Sequence, residues 1–275
     1  MLRSGTKNLQ PATAFLKYFF AVVILLAGAK VGQAELKKEA VEYQQEDTTL
    51  EGYLVYDDAI QEKRPGIIVV HDWMGFGEYG NRRAEQLAEL GYVALAVDIY
   101  GKGVRPKNAD EAAKQATLYK SDRALLRQRV QAGLKVLKAH PQVDPARTGA
   151  IGYCFGGTTV LELTRSGADV TGVVSFHGGL STPNTADAKN AKAKILVLHG
   201  ADDPYVPADE VAAFQEEMRQ ANTDWQMIYY SGAVHSFTRK DASDDNAKGA
   251  AYNEKAEQRS WTAMQEFFKE IFQQQ

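Results

Sequence analysis

Residues 149–157, Gly149-Ala150-Ile151-Gly152-Tyr153-Cys154-Phe155-Gly156-Gly157, set one thiol in the middle of a Gly-x-Cys-x-Gly turn. Small and apolar residues lead into the turn, and a helix-like run from Thr158 to Thr164 follows it. The pattern is a nucleophile elbow with sulfur in place of oxygen. Crowding around such a strained turn leaves no room for a side chain two residues before or after the nucleophile, which accounts for Gly152 and Gly156. The turn would aim Sγ into a cleft and leave the backbone N–H of Phe155 free for an oxyanion. A helix N-terminus directly behind the thiol favours negative charge there. The competing reading is packing, since a free Cys commonly acts as a small buried hydrophobe. The residues downstream decide against it.

A thiol nucleophile needs a base to take its proton and later deliver it to a leaving group. The base needs a carboxylate that fixes its tautomer and stabilises the imidazolium. In strand–elbow hydrolases these come in the order nucleophile, acid, His. The chain offers Cys154, then Asp203, then His235, each just after an expected strand. Among the other histidines, His71 and His140 precede the nucleophile, and His177 and His199 sit in Phe-His-Gly-Gly and Leu-His-Gly turns where local hydrogen bonding would occupy them. Asp202 adjoins Asp203 and is the alternative acid; otherwise it is a solvated turn residue. No His pair stands at helical spacing and the chain has a single Cys, so no metal site is expected. Phosphate-loop and dinucleotide motifs are also absent, and no cofactor is expected.

The elements that must position these groups follow from the rest of the chain. Its 275 residues are 44% hydrophobic and 24% charged, enough for a large core, and the net charge of -3 lacks the basic stripe of a nucleic-acid binder. Arg3, Lys7 and Lys17 precede an apolar run from Tyr18 to Ala29, small-residue sites end at Ala29 and Ala34, and no acidic residue occurs before Glu35. These features predict a signal peptide over residues 1–34 and a domain over 35–275, with export to the periplasm or outside and no stable membrane insertion after cleavage. Cleavage would remove four of the 32 basic residues and none of the 35 acidic, for a net charge of -7. An exported protein that keeps one unpaired thiol either buries it or uses it.

Glu39 to Gln45 and Thr49 to Tyr56 predict an antiparallel edge hairpin turning at Glu46-Asp47. A continuous apolar strand at 66–70 and further strands at 92–97, 170–176, 195–198 and 225–230 alternate with helical runs at 81–90, 109–120, a segment from Ser121 as N-cap, another from Pro207, and a C-terminal helix carrying Trp261, Met264, Phe268 and Ile271. Asp241 to Gly249 reads as a polar surface loop. The alternation predicts an α/β class: one domain with a mostly parallel, doubly wound sheet and helices on both faces. Ligands bind beyond the carboxyl ends of such strands, where Asp72, Cys154, Asp203 and His235 fall.

From 71 onward the motifs His-Asp-Trp-Met-Gly, Val-Asp-Ile-Tyr-Gly, Gly-Tyr-Cys-Phe-Gly-Gly, Phe-His-Gly-Gly, His-Gly-Ala-Asp-Asp-Pro-Tyr-Val-Pro and Ala-Val-His-Ser-Phe recur in order. With them, the chain after residue 34 resembles the dienelactone hydrolase family of α/β-hydrolases across nearly its whole length. The resemblance implies a Cys154–His235–Asp203 triad, an acyl-thioester route to ester or lactone hydrolysis, and an oxyanion hole made by the N–H groups of Phe155 and Trp73. It implies that Asp72, where family enzymes acting on dienelactone carry Glu, is the carboxylate that meets the resting thiol. It also implies that Arg239 holds a substrate carboxylate, with Arg105 or Arg123 as loose candidates for its partner. The expected partner is a small-molecule ester or lactone, and export points to esters other than dienelactone. The rival readings are a non-catalytic or thiol-redox binding member of the same fold, and an envelope esterase acting on peptides or lipids.

Overall fold

The computed structural model describes residues 36–273 together with residues 1, 2 and 5. The expected signal peptide, 1–34, and its cleavage position lie outside the described residues apart from those three. Strands β1 (Leu36–Gln45) and β2 (Thr48–Asp57) form the edge hairpin, with Gln45 paired to Thr48 across the Glu46-Asp47 turn. The chain then alternates: β3 (Arg64–Val70), α1 (Glu78–Glu89), β4 (Val93–Val97), α2 (Ala109–Ser121), α3 (Arg123–Lys138), β5 (Val143–Tyr153), α4 (Phe155–Arg165), β6 (Gly172–Phe176), β7 (Lys194–Gly200), α5 (Ala208–Ala221), β8 (Trp225–Tyr230) and α6 (Glu254–Gln273). The eight strands form one sheet in the order β1-β2-β4-β3-β5-β6-β7-β8. β2 runs antiparallel to its neighbours β1 and β4, and the six strands from β4 to β8 are mutually parallel.

Successive residues of the parallel strands point to opposite faces, and both faces are apolar, as a sheet covered by helices on each side requires. Ile68, Val70, Leu95, Val173 and Val197 pack with Leu126, Val130 and Leu134 of α3 and with Phe214 of α5. Ile67, Val69, Ile151, Val174 and Leu196 pack with Leu87 of α1 and with Met264, Phe268 and Ile271 of α6. Each such side chain contributes roughly 1.5–3 kcal/mol on burial. The doubly wound, mostly parallel arrangement is therefore the one the strand–helix alternation predicts.

Two local expectations need correction. α1 begins at Glu78 rather than Asn81, because Gly77 takes the N-cap and its carbonyl accepts from Asn81 N–H at 3.1 Å. Ser121 does not cap the following helix; it ends α2, and the Asp122 carboxylate accepts from Leu125 N–H at 2.9 Å as the N-cap of α3. A carboxylate also opposes the positive end of the helix dipole. Asp122→Ala should accordingly cost about 1 kcal/mol of unfolding free energy in urea titration, and Ser121→Ala less than about 0.5 kcal/mol. Equal losses would return the cap to Ser121.

Candidate active site

β5 runs straight into the elbow. Cys154 has φ 54° and ψ -112°, a conformation that L-residues seldom adopt and that persists only where the surroundings impose it. The surroundings are visible in the two glycines. A Cβ on Gly152 would sit 2.0 Å from the carbonyl oxygen of Gly156, and one on Gly156 would sit 2.3 Å from that of Val70. The second contact shows that the N-terminus of α4 is pressed onto the carboxyl end of β3. Phe155, the first residue of α4, has no helical acceptor for its N–H.

The same close approach brings the loop after β3 beside Phe155. His71 is buried and stacks on the Phe155 ring at 5.8 Å. Its Nδ1 donates to the Asp72 carbonyl at 2.6 Å and its Nε2 accepts from Ile99 N–H at 3.2 Å, a neutral tautomer that burial favours by holding its pKa below the usual value. His71 is thus a strut of the loop, in keeping with its exclusion as the base. The Tyr100 hydroxyl donates to the Trp73 carbonyl at 3.0 Å, and the Asp72 carbonyl, which shares a peptide unit with Trp73 N–H, accepts from His71 Nδ1 at 2.6 Å and from Gly75 N–H at 3.1 Å. The two backbone donors expected for an oxyanion, Phe155 and Trp73, therefore belong to segments locked against each other.

Cys154 is half-buried, and its Sγ lies 3.1 Å from His235 Nε2. His235 Nδ1 lies 2.8 Å from Asp203 Oδ2. The second Asp203 oxygen accepts from Tyr205 N–H at 2.9 Å, so the carboxylate is held at both ends. Asp202 instead is exposed and accepts from Gly232 N–H at 3.0 Å, which makes it the turn residue. Burial disfavours charge on His235, but the Cys154 sulfur and Asp203 outweigh it and push its pKa up to about 10. With the imidazole charged, Nδ1–H donates to Asp203 and Nε2–H to the sulfur. In Cys154→Ala the sulfur is gone and only Asp203 opposes burial, so the His235 titration midpoint should fall below that of the parent. Proton NMR of the imidazole resonances checks this; an unmoved midpoint would show that sulfur is not the cause.

The surroundings of His235 were only partly foreseeable. The run from Asp241 to Gly249 is largely exposed, but its end is structural: Gly249 carbonyl accepts from His235 N–H at 3.2 Å, and Ala251 N–H donates to the His235 carbonyl at 3.0 Å. His177 was expected to bond locally. Its Nε2 instead meets Thr238 Oγ1 at 2.8 Å, 61 residues away, and its ring stands edge-on to His235 at 5.2 Å. His199 also lacks the local bond, since its buried Nδ1 has no partner among the described residues. Tyr205, largely exposed, also stands edge-on to the His235 ring at 5.3 Å.

Asp72 and Arg239 pair with each other. Asp72 Oδ1 accepts from Met74 N–H at 2.8 Å and Oδ2 pairs with Arg239 Nη1, while Sγ of Cys154 bonds to His235 alone among the described residues. The Asp side chain is one methylene shorter than Glu, and Met74 N–H and Arg239 occupy its two oxygens. A cavity of about 520 Å³ opens beside this pair, bounded by the loop 71–80, Arg105-Pro106 and residues 239–241. Arg105 lines it and pairs with Glu51. Arg123 does not line it and donates to the Ser181 carbonyl at 3.3 Å. Arg82, Tyr79 and Asp241 also line the cavity, and no spacing in the sequence marks any of them. Among the described residues no group of His, Cys, Asp and Glu could hold a metal, and no helix is long and apolar enough to cross a membrane.

A model of the dienelactone hydrolase family matches residues 50–272. The chain belongs to the dienelactone hydrolase family. This hydrolase family member is similar to m3DLH, at 39% identity and a TM-score of 0.83, over 86% of this chain and 99% of that one. It is also similar to a dienelactone hydrolase-like promiscuous phosphotriesterase from metagenomic libraries, at 40% identity and a TM-score of 0.82, again over 86% and 99%. Among curated sequences it is 24% identical to a carboxymethylenebutenolidase homolog of Mus musculus, over 69% of this chain and 77% of that protein. The α/β-hydrolase fold and membership of an ester- and lactone-hydrolysing family are thus shared with relatives of almost equal extent.

Proposed function

We propose that this dienelactone hydrolase family member cleaves small carboxylic esters or lactones through Cys154, His235 and Asp203, by way of an acyl-thioester. The observation that carries the reading is the continuous contact Sγ–Nε2 at 3.1 Å and Nδ1–Oδ2 at 2.8 Å, beyond the carboxyl ends of three parallel strands. The Sγ proton passes to His235 Nε2, a transfer that the raised pKa of that imidazole favours, and Sγ attacks the carbonyl carbon. The carbonyl π electrons move to oxygen, and that oxyanion is received by the N–H groups of Phe155 and Trp73. Collapse breaks the acyl carbon–oxygen bond, and the departing alkoxide takes the proton from His235. A lactone leaves its alcohol tethered to the acyl group. His235 then takes a proton from water, the resulting hydroxide attacks the thioester, and collapse breaks the acyl carbon–sulfur bond and releases the acid, with Sγ taking the proton back from His235. Asp203 holds the imidazole tautomer throughout and remains ionised.

The N-terminal pattern supports delivery to the periplasm or beyond, where the substrate would be an exogenous ester or lactone. The experiment is hydrolysis of an aryl acetate by protein beginning at residue 35, beside Cys154→Ala and His235→Ala. Turnover in the parent that vanishes in both variants supports the reading. Equal rates in all three, with a thiol inert to alkylation, would favour a binding protein of the same fold.

A further inference from the structure

An arginine that holds a substrate carboxylate must offer it free donors and net positive charge. Arg239 offers little of either. Its Nη1 pairs with Asp72, and its Nε and Nη2 pair with the two oxygens of Asp241, so each nitrogen already faces a carboxylate. Its plane lies over the Tyr79 ring at 5.1 Å. Two negative charges bracket one positive charge. Asp72 is almost fully buried and its partnership is correspondingly firm, whereas Asp241 is exposed. Arg105, across the cavity, is neutralised by Glu51 and stacked on Phe76 at 4.9 Å. The other cations of the wall, Arg82 and Lys240, are exposed at its rim, where water and salt screen them, and Glu78 is exposed there too.

We infer that Asp241 determines specificity by saturating Arg239, so that the site selects uncharged esters or lactones over those bearing a carboxylate. The inference rests on the ester-hydrolase reading for its substrate class, but the geometry concerns the cavity wall alone. A carboxylate entering beside Arg239 would meet Asp72 and Asp241 as like charges, and such juxtaposition discriminates between partners more strongly than a neutral contact does. Removing the charge at 241 leaves Arg239 with one carboxylate partner, and an amide there can occupy only one of the donors Nε and Nη2.

The test compares para-acetoxybenzamide with para-acetoxybenzoate, which differ in charge and hardly in shape, on the parent, Asp241→Asn and Asp241→Glu. Cys154 alkylation by iodoacetamide and by iodoacetate, each rated against a free thiol, supplies a second matched pair that requires no turnover. The parent is expected to prefer the neutral ester by about tenfold in kcat/KM, Asp241→Asn to reduce that preference severalfold, and Asp241→Glu to restore it. Raising salt should shrink the gap between parent and Asp241→Asn. The alkylation ratio should shift toward iodoacetate in Asp241→Asn alone. A parent that handles both esters equally, or ratios that Asp241→Asn leaves unchanged, would overturn the inference. If neither ester is cleaved, the hydrolase reading falls, and the alkylation ratios still decide the role of Asp241.

Discussion

Cys154→Ala will lose aryl-ester turnover by on the order of 10⁵-fold, and His235→Ala will lose about as much, because the two act as one unit. The reason is that each group without the other cannot form the covalent intermediate. Without sulfur there is no bond for the acyl group to occupy. Without the imidazole nothing stands 3.1 Å from Sγ to receive its proton or return one to the alkoxide. The double variant should therefore be scarcely worse than either single one, a non-additivity that independent contributions would not produce. Asp203→Asn should cost less, roughly 10⁴-fold, since an amide can still occupy the site but favours the wrong tautomer. Pre-steady-state kinetics of the parent with substrate in excess should show a burst of phenolate followed by a slower phase limited by deacylation. A Cys154→Ala protein that retains the parent rate would end the acyl-thioester proposal. Far-UV circular dichroism separates a loss of turnover in the variants from misfolding.

The largest effect on folding is expected at the elbow. Gly152→Ala and Gly156→Ala should each destabilise by more than about 4 kcal/mol, enough to prevent accumulation of folded protein. The added methyl would lie 2.0 Å from the Gly156 oxygen in the first case and 2.3 Å from the Val70 oxygen in the second. Both obstacles are backbone atoms, so no rotamer change relieves them, and moving them would part α4 from the sheet. Gly80→Ala is the matched control. Gly80 lies inside α1, and the nearest atom to its added Cβ would be the Ala96 Cβ at 4.0 Å. That change should stabilise by roughly 0.5–1 kcal/mol, since Ala is the better helix former. Thermal unfolding of the three variants checks the contrast. A soluble Gly152→Ala protein with the parent's melting temperature would show that the elbow is looser than its contacts imply.

Much of this was legible before any coordinate. Period-two and period-3.6 patterns report burial directly, so the sheet, its winding and its edge hairpin could be read from local segments. The elbow was legible because its requirement for small neighbours is steric and acts within two residues. Misreadings cluster where two local signals were equivalent: Ser121 and Asp122 are both good caps, and only the packing of α2 against α3 decides which residue ends one helix and which begins the next. Nothing local distinguishes Arg239 as a free cation from Arg239 as a saturated one, because its buried partner Asp72 is 167 residues away.

The order of elements, the thiol between two glycines, and the succession of Cys154, Asp203 and His235 after β5, β7 and β8 were all legible in the chain alone. These depend on spacing, which backbone geometry converts into position within a few residues. Folding in three dimensions was needed to reveal that His177 braces Thr238 across 61 residues and that Asp72 and Asp241 close on Arg239. Those outcomes depend on which side chains the folded sheet brings within hydrogen-bond reach. Charge pairing selects among such neighbours by distance and burial, and neither is written in the spacing of the chain.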